Sequence, residues 1–227
     1  MRTTPTREAL SSEAVSSEAV SSEAVSSEAV STGSLGVYPG SFNPPTVAHL
    51  AIAEAAAGQA GLARVELVIS RVALGKEHGG GPTPKERLEV LRAVAATRPW
   101  LGVRTTADQL LADIAGDAHA VILGADKWAQ IADPIWYGGS TAARDDALER
   151  LPLILVAPRP PFPLPPDRAG RVQTLDVDPG HRSVSSSAVR AGQRAWMLDE
   201  AQASGLWPID AGARAVDGIR DPPAPGG

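Results

Sequence analysis

Two short segments of the chain carry the residue types that phosphate chemistry needs. The first is Gly40-Ser-Phe-Asn-Pro-Pro-Thr-Val-Ala-His-Leu50, and the second is His181-Arg-Ser-Val-Ser-Ser-Ser-Ala-Val-Arg190. Gly40 lets a ligand approach the backbone closely. Pro44-Pro45 stiffens a loop that ends at Thr46, a residue suited to a helix N-cap or first turn. A helix N-terminus presents unpaired N–H groups and a partial positive charge, the complement of a phosphate. Thr46 and His49 are three residues apart, so they fall on one face of the first turn. In the second segment, Ser185, Ser186 and Ser187 are poor helix interior but good caps, and their hydroxyls and N–H groups suit a triphosphate. Arg190 lies one turn beyond Ser186 and brings a forked cation to the same anion.

Groups so far apart in sequence need a scaffold that brings them together. Leu35–Tyr38 is a short apolar run ending in Pro39-Gly40, and Thr46 to about Gln59 is alanine-rich and helical. Val65–Ile69 reads as a strand, and Pro84–Ala96 as a helix with its proline in the first turn. A strand near Leu101–Arg104 and a helix over about Ala107–Ala115 follow, then a strand at His119–Leu123 running into Gly124-Ala-Asp126. Strands at Leu151–Val156 and Val172–Val177 and a helix at Ser186–Arg194 complete the pattern. Strands alternating with helices predict a Rossmann-like, doubly wound α/β domain with a parallel sheet. Ligands of such sheets bind outside the carboxyl ends of the strands, at the switch point. The sharpest loops, after Tyr38, after Leu123 and before Ser185, lie at that edge.

The domain is expected over residues 33–210. Residues 11–30 are four copies of Ser-Ser-Glu-Ala-Val, a period that builds no continuous apolar face. One valine in five cannot offset the entropy of ordering the segment. Residues 1–32 are therefore expected to be a disordered acidic tail, and residues 211–227, rich in proline and glycine, a second one. The chain has 227 residues, no cysteine and a formal charge of -5. Disulfides and thiolate metal sites are excluded. The four histidines are scattered, so no metal-ligand spacing is seen. The charge gives no general attraction to nucleic acid or an anionic membrane, and no apolar run is long enough for a span. The N-terminus has no apolar signal core, so a cytoplasmic protein is expected. Gly-x-Gly-x-x-Gly is missing after the first strand, which disfavours a dinucleotide-binding oxidoreductase.

The first segment resembles the Gly-x-Phe-x-Pro-x-(His/Thr)-x-Gly-His signature of the nucleotidyltransferase superfamily, with Ala48 where that family usually has glycine. The second resembles its Ile-Ser-Ser-(Thr/Ser)-x-x-Arg signature. Val121–Trp128 with Pro134–Tyr137 is similar to the Gly-x-Asp and tryptophan pattern of the nicotinate- and nicotinamide-mononucleotide adenylyltransferases. Pro84–Leu91, Leu155–Arg159 and Gly205–Trp207 are similar to that family's arginine-bearing helix, its arginine-ended strand and its closing helix. Thr46 and the triple serine also occur in phosphopantetheine adenylyltransferases. That family usually carries an Asp where this chain has Ala51, and it lacks the Gly-Ala-Asp-Lys-Trp type of loop.

The resemblance implies direct transfer of AMP from ATP to a small phosphorylated acceptor, with release of pyrophosphate. His49, Thr46 and Arg190 are then the catalytic residues. His49 stabilises charge at the α-phosphoryl group and Thr46 orients it. Gly40, Ser41, Phe42, Ser185, Ser186 and Ser187 handle ATP and its phosphates. Gly124, Asp126, Lys127 and Trp128 are implied at the nucleotide or acceptor, with Lys76 on a nearby loop. Mg²⁺ is expected to be held mainly by the ATP phosphates rather than by protein ligands. The acceptor is a pyridine mononucleotide on this reading. A phosphopantetheine-type acceptor, a non-catalytic nucleotide-binding relative and a homo-oligomer stay open.

Overall fold

The computed structural model describes residues 34–71, 81–167 and 170–208, and these fall in one compact unit. The tails expected at 1–32 and 211–227 lie outside the described residues.

Six parallel strands form one sheet in the order β3-β2-β1-β4-β5-β6. They are β1 (Leu35–Pro39), β2 (Arg64–Ser70), β3 (Leu101–Thr106), β4 (Ala120–Gly124), β5 (Leu153–Ala157) and β6 (Val172–Thr174). The chain moves outward from β1 through β2 to β3, then returns to place β4 on the other side of β1. That reversal opens a crevice at the carboxyl ends of β1 and β4.

Successive residues of a strand point to opposite faces, and here both faces are buried. Ala120 and Ile122 of β4 and Leu155 and Ala157 of β5 join one apolar cluster. Val121, Leu123, Ile154 and Val156 join another. The first cluster includes Ala53 and Ala56 of helix α1 (Val47–Gln59) and Leu91 and Val94 of α2 (Pro84–Ala95). The second includes α3 (Leu111–Ala115), α4 (Ala125–Ile131) and Leu148 of α5 (Thr141–Glu149). Helices therefore cover both faces of an apolar parallel sheet, as its near-continuous hydrophobic strands require. Helices α6 (Ser186–Arg190) and α7 (Asp199–Ser204) complete the order.

Several boundaries differ from the sequence reading. The helix expected from Ala107 starts only at Leu111. Thr106 Oγ1 donates to Asp108 Oδ2 at 2.5 Å and accepts from the Asp108 N–H at 3.1 Å, which holds residues 106–108 as a turn. Gly124-Ala-Asp126, read as a loop, instead opens α4, with Gly124 as its N-cap. The strand expected to reach Val177 leaves the ladder after Thr174, and the helix expected to reach Arg194 stops at Arg190. The closing helix is α7, and Gly205, at φ 67°, ends it rather than belonging to it. Helix α5 has no counterpart in the sequence reading.

Leu155 is the middle residue of β5, between β4 and β6, with 0% exposure. Leu155→Ala is expected to cost about 2–5 kcal/mol of unfolding free energy, measured by chemical denaturation. A change inside the experimental error would contradict the two-faced core.

Candidate active site

The β1–α1 turn is built around a buried aromatic ring. Phe42 has 0% exposure and a left-handed φ of 43°, a strained conformation for a bulky residue that only its surroundings can hold. Its ring meets Tyr38 edge-on at 5.7 Å and His49 at 5.0 Å. A side chain on Gly40 would place its Cβ 2.8 Å from the Phe42 ring, so glycine is required there. The Gly40 N–H donates to the Val68 carbonyl at 3.0 Å and fixes the turn to β2.

Thr46 is the N-cap of α1 and is fully buried. Its backbone N–H donates to His49 Nδ1 at 3.0 Å, and its Oγ1 lies 2.8 Å from the same nitrogen. His49 thus fills the position that Glu or Gln takes in an ordinary capping box. A backbone N–H can only donate, so Nδ1 accepts and the ring proton sits on Nε2. His49 lines the cleft at the switch point, where an Nε2–H is a donor for an anionic oxygen.

The second segment is stitched to this loop. Ser185 caps α6 by accepting the Ala188 N–H at 3.1 Å. Ser186 Oγ donates to the Pro44 carbonyl at 2.7 Å. Arg190 donates through Nη1 to the Asn43 carbonyl and through Nη2 to Ser187 Oγ at 3.1 Å. Trp207 Nε1 donates to Asn43 Oδ1 at 2.6 Å. Ser185, Ser186, Ser187 and Arg190, expected on the phosphates, stand outside the lining of the cleft. Ser186 and Arg190 brace the Asn43–Thr46 loop through its main-chain carbonyls, while Ser185 bonds to α6 and Ser187 bonds to Arg190.

The cleft itself is framed by Gly40, Ser41, Thr46 and His49 on one side. Gly124, Asp126 and Lys127 at the start of α4 face them, with Arg159 beyond β5. Asp126 pairs with Arg159 at 3.1 Å, and Arg159 also donates to the Val184 carbonyl. A Cβ on Gly124 would fall 2.4 Å from Asp126 Oδ1, so glycine leaves the carboxylate its place. Lys127 Nζ donates to Gln130 Oε1 at 2.9 Å. His181 and Arg182 complete the wall, and His181 Nδ1 and Arg182 Nε are buried with no hydrogen-bond partner among the described residues. Burial pushes the Tyr38 hydroxyl far above its usual range; Arg159 opposes this and Asp126 reinforces it, so the phenol stays protonated. Among the described residues the lining carries three cations, Lys127, Arg159 and Arg182, against one carboxylate, Asp126. Such a cleft attracts a polyanion.

A second cavity adjoins the first across Pro39, Gly40, Ser41 and Lys127, which line both. Ser70, Arg87, Gln109, Trp136 and Tyr137 lie on its far side, with Leu110, Leu111, Ile114 and Ile131 as an apolar base. Arg87 donates through Nη1 to the Ser41 carbonyl.

The structure brings Gly40, Ser41, Thr46, His49, Gly124, Asp126 and Lys127 to the cleft, as the sequence reading expected. Two aromatic side chains expected at the site are buried: Phe42 lies in the core beneath His49 at 0% exposure, and Trp128 packs with Leu123, Ile131 and Val156 at 6% exposure. Trp136, five positions from the helix that buries Trp128, is the indole that reaches a cavity. Lys76 lies outside the described residues. Arg159, His181, Arg182 and Tyr38 were given no role from sequence; only the position of Arg159, just past a strand's carboxyl end, signalled one. Among the described residues no group of three or more His, Cys, Asp or Glu side chains is placed to hold a metal, and no helix is long and apolar enough to cross a membrane.

The cytidylyltransferase-like family matches residues 37–192, which run from β1 through α6 and include both cavities and both serine- and histidine-bearing segments. The chain belongs to the cytidylyltransferase-like family of nucleotidyltransferases. Among solved structures it is similar to Plasmodium falciparum nicotinic acid mononucleotide adenylyltransferase complexed with NaAD, at a TM-score of 0.56 and 12% identity. That similarity covers 78% of this chain and 98% of the other, and at such identity it speaks for the fold. No curated protein matches the chain.

Gly40→Ala would drive a methyl group into the buried Phe42 ring. We expect a loss of about 1–3 kcal/mol, read as a lower thermal midpoint. An unchanged midpoint would contradict the packing of this turn.

Proposed function

We propose that this nucleotidyltransferase moves AMP from ATP to the phosphate of nicotinate or nicotinamide mononucleotide. An oxygen of the acceptor's phosphate forms the new bond to the α-phosphorus. The bond from that phosphorus to the bridging oxygen breaks, and pyrophosphate leaves with the electron pair. Such a transfer rests on positioning and charge stabilisation rather than on a protein nucleophile.

The observation that carries the reading is the meeting of two cavities at Gly40, Ser41 and Lys127. The cationic cleft suits ATP. The neighbouring cavity, with Trp136 and Tyr137 on its wall and Arg87 and Lys127 as its charges, suits a flat ring carrying an anion. Where they join, an acceptor phosphate reaches the α-phosphorus. The sequence resemblance of residues 121–137 and the NaAD bound by the Plasmodium relative support the pyridine acceptor. The aromatic wall favours a ring over the extended chain of phosphopantetheine.

Within this reading His49 donates from Nε2 to a non-bridging α-phosphate oxygen as charge builds there. Thr46 fixes that donor, and the free N–H groups of the first turn of α1 assist. Lys127 sits at the junction of the two anions. Arg182 and His181, with buried nitrogens lacking partners among the described residues, face the nucleotide. Ser186 and Arg190 hold the Asn43–Thr46 loop in place from outside the cleft. Mg²⁺ bound to the triphosphate neutralises its charge. The one carboxylate of the cleft among the described residues, Asp126, is paired with Arg159, so the phosphate oxygens would be its principal ligands.

The test is pyrophosphate release with ATP and, separately, nicotinate mononucleotide, nicotinamide mononucleotide and phosphopantetheine. Turnover is expected with a pyridine mononucleotide, and turnover with phosphopantetheine alone would replace that acceptor. Failure with every acceptor, ATP binding intact, would favour a non-catalytic relative. His49→Ala is expected to lower kcat by about 10²–10³; an undiminished kcat would remove His49 from the reaction.

A further inference from the structure

Among the described residues Arg87 is one of two cations that line the second cavity, and which group of an acceptor it would meet is open in the reading above. It projects from the first turn of α2, is half-buried, and makes one side-chain hydrogen bond among the described residues, from Nη1 to the Ser41 carbonyl. That bond places the guanidinium beside the loop that both cavities share. Nε is buried with no partner among the described residues.

Several half-buried arginines of the domain are satisfied by carboxylates, while Arg171 bonds to the Glu149 and Leu151 carbonyls and Arg182, like Arg87, has no ion pair among the described residues. Arg98 meets Glu200 at 3.2 Å, Arg104 meets Glu66 at 2.9 Å and Arg159 meets Asp126 at 3.1 Å. Arg87 has no carboxylate within ion-pair distance among the described residues, and none lines the cavity it faces. Burial pulls its pKa below the ordinary arginine value, so it bears a desolvation cost that no protein anion offsets. A buried cation held in this way lacks its anion, and a cavity is the place for one to arrive.

We propose that Arg87 binds an anionic group of the acceptor. This rests on the reading above, in which a phosphorylated mononucleotide occupies the second cavity. The fork of a guanidinium meets two oxygens of one anion, and both the phosphate and a ring carboxylate present such a pair. Because Arg87 is tied to Ser41, an anion seated on it lies at the mouth of the ATP cleft.

The experiment is calorimetric titration of the full chain, as wild type, Arg87→Gln and Arg87→Lys. The probes are nicotinate mononucleotide, nicotinamide mononucleotide and ATP, each alone. Arg87→Gln is expected to weaken nicotinate mononucleotide binding by about tenfold, the worth of one charge-assisted hydrogen bond, and to leave ATP unchanged. Equal loss for both mononucleotides assigns Arg87 to the phosphate, and loss confined to nicotinate mononucleotide assigns it to the carboxylate. Unaltered mononucleotide affinity overturns the proposal, as does an equal loss for ATP, which would mark Arg87 as a brace for Ser41. Both outcomes leave the proposed reaction standing. A wild type that binds neither mononucleotide overturns the proposal and the acceptor together. Should Arg87→Gln not fold, Arg87→Lys carries the test, because lysine keeps the charge and loses the fork. Weaker mononucleotide binding with ATP unchanged is expected there, and wild-type affinity overturns the proposal.

Discussion

The site depends on one hydrogen bond, from the Thr46 backbone N–H to Nδ1 of His49 at 3.0 Å. It does two things that are usually done by different residues. It satisfies an orphan donor at the start of α1, and it fixes which nitrogen of the imidazole carries the proton. A side chain that caps a helix cannot swing freely, so His49 is presented to the cleft in one orientation. The Phe42 ring beneath it, 5.0 Å away, closes off the alternative positions. A donor preorganised in this way needs no rearrangement when charge develops on a phosphate, which is where electrostatic stabilisation gains most.

That bond is only as rigid as the loop that precedes it, and the loop is held from the far end of the chain. Arg190, Ser186 and Trp207 bond to Asn43 and Pro44 across sequence separations of 147, 142 and 164 residues. The Leu198 N–H adds a bond to the Pro45 carbonyl at 3.2 Å, and Thr46 bridges to Met197. The second signature therefore acts on the first by supporting it.

The sheet and most of the cleft were legible in the sequence. Pro39-Gly40 and Pro44-Pro45 punctuate β1 and α1 sharply, and the apolar runs of β2, β4 and β5 admit few other readings. Helix α4 was not legible as a helix because Gly124-Ala-Asp126 has the composition of a turn. In the fold Gly124 is an N-cap, and Asp126 occupies the first turn, where a carboxylate suits the positive end of the helix. Once α4 is a helix, Ala125, Trp128 and Ile131 share its buried face, and Trp128 is core by spacing alone. Helix α5 was hidden by its charges, since only Ala147 and Leu148 of its nine residues are buried. The bracing role of Ser186 and Arg190 could not be read locally at all, because it exists only across the closed fold.

The central claim is that His49 is held as an Nε2–H donor facing the α-phosphate of a bound nucleotide. Two-dimensional ¹H–¹⁵N NMR of the histidine rings, recorded without and with a non-hydrolysable ATP analogue, tests it most directly. The account predicts that His49 is in the Nε2–H tautomer in the free protein, and that its Nε2 resonance moves when the analogue binds. A proton on Nδ1, or an Nε2 resonance indifferent to the nucleotide, would contradict it.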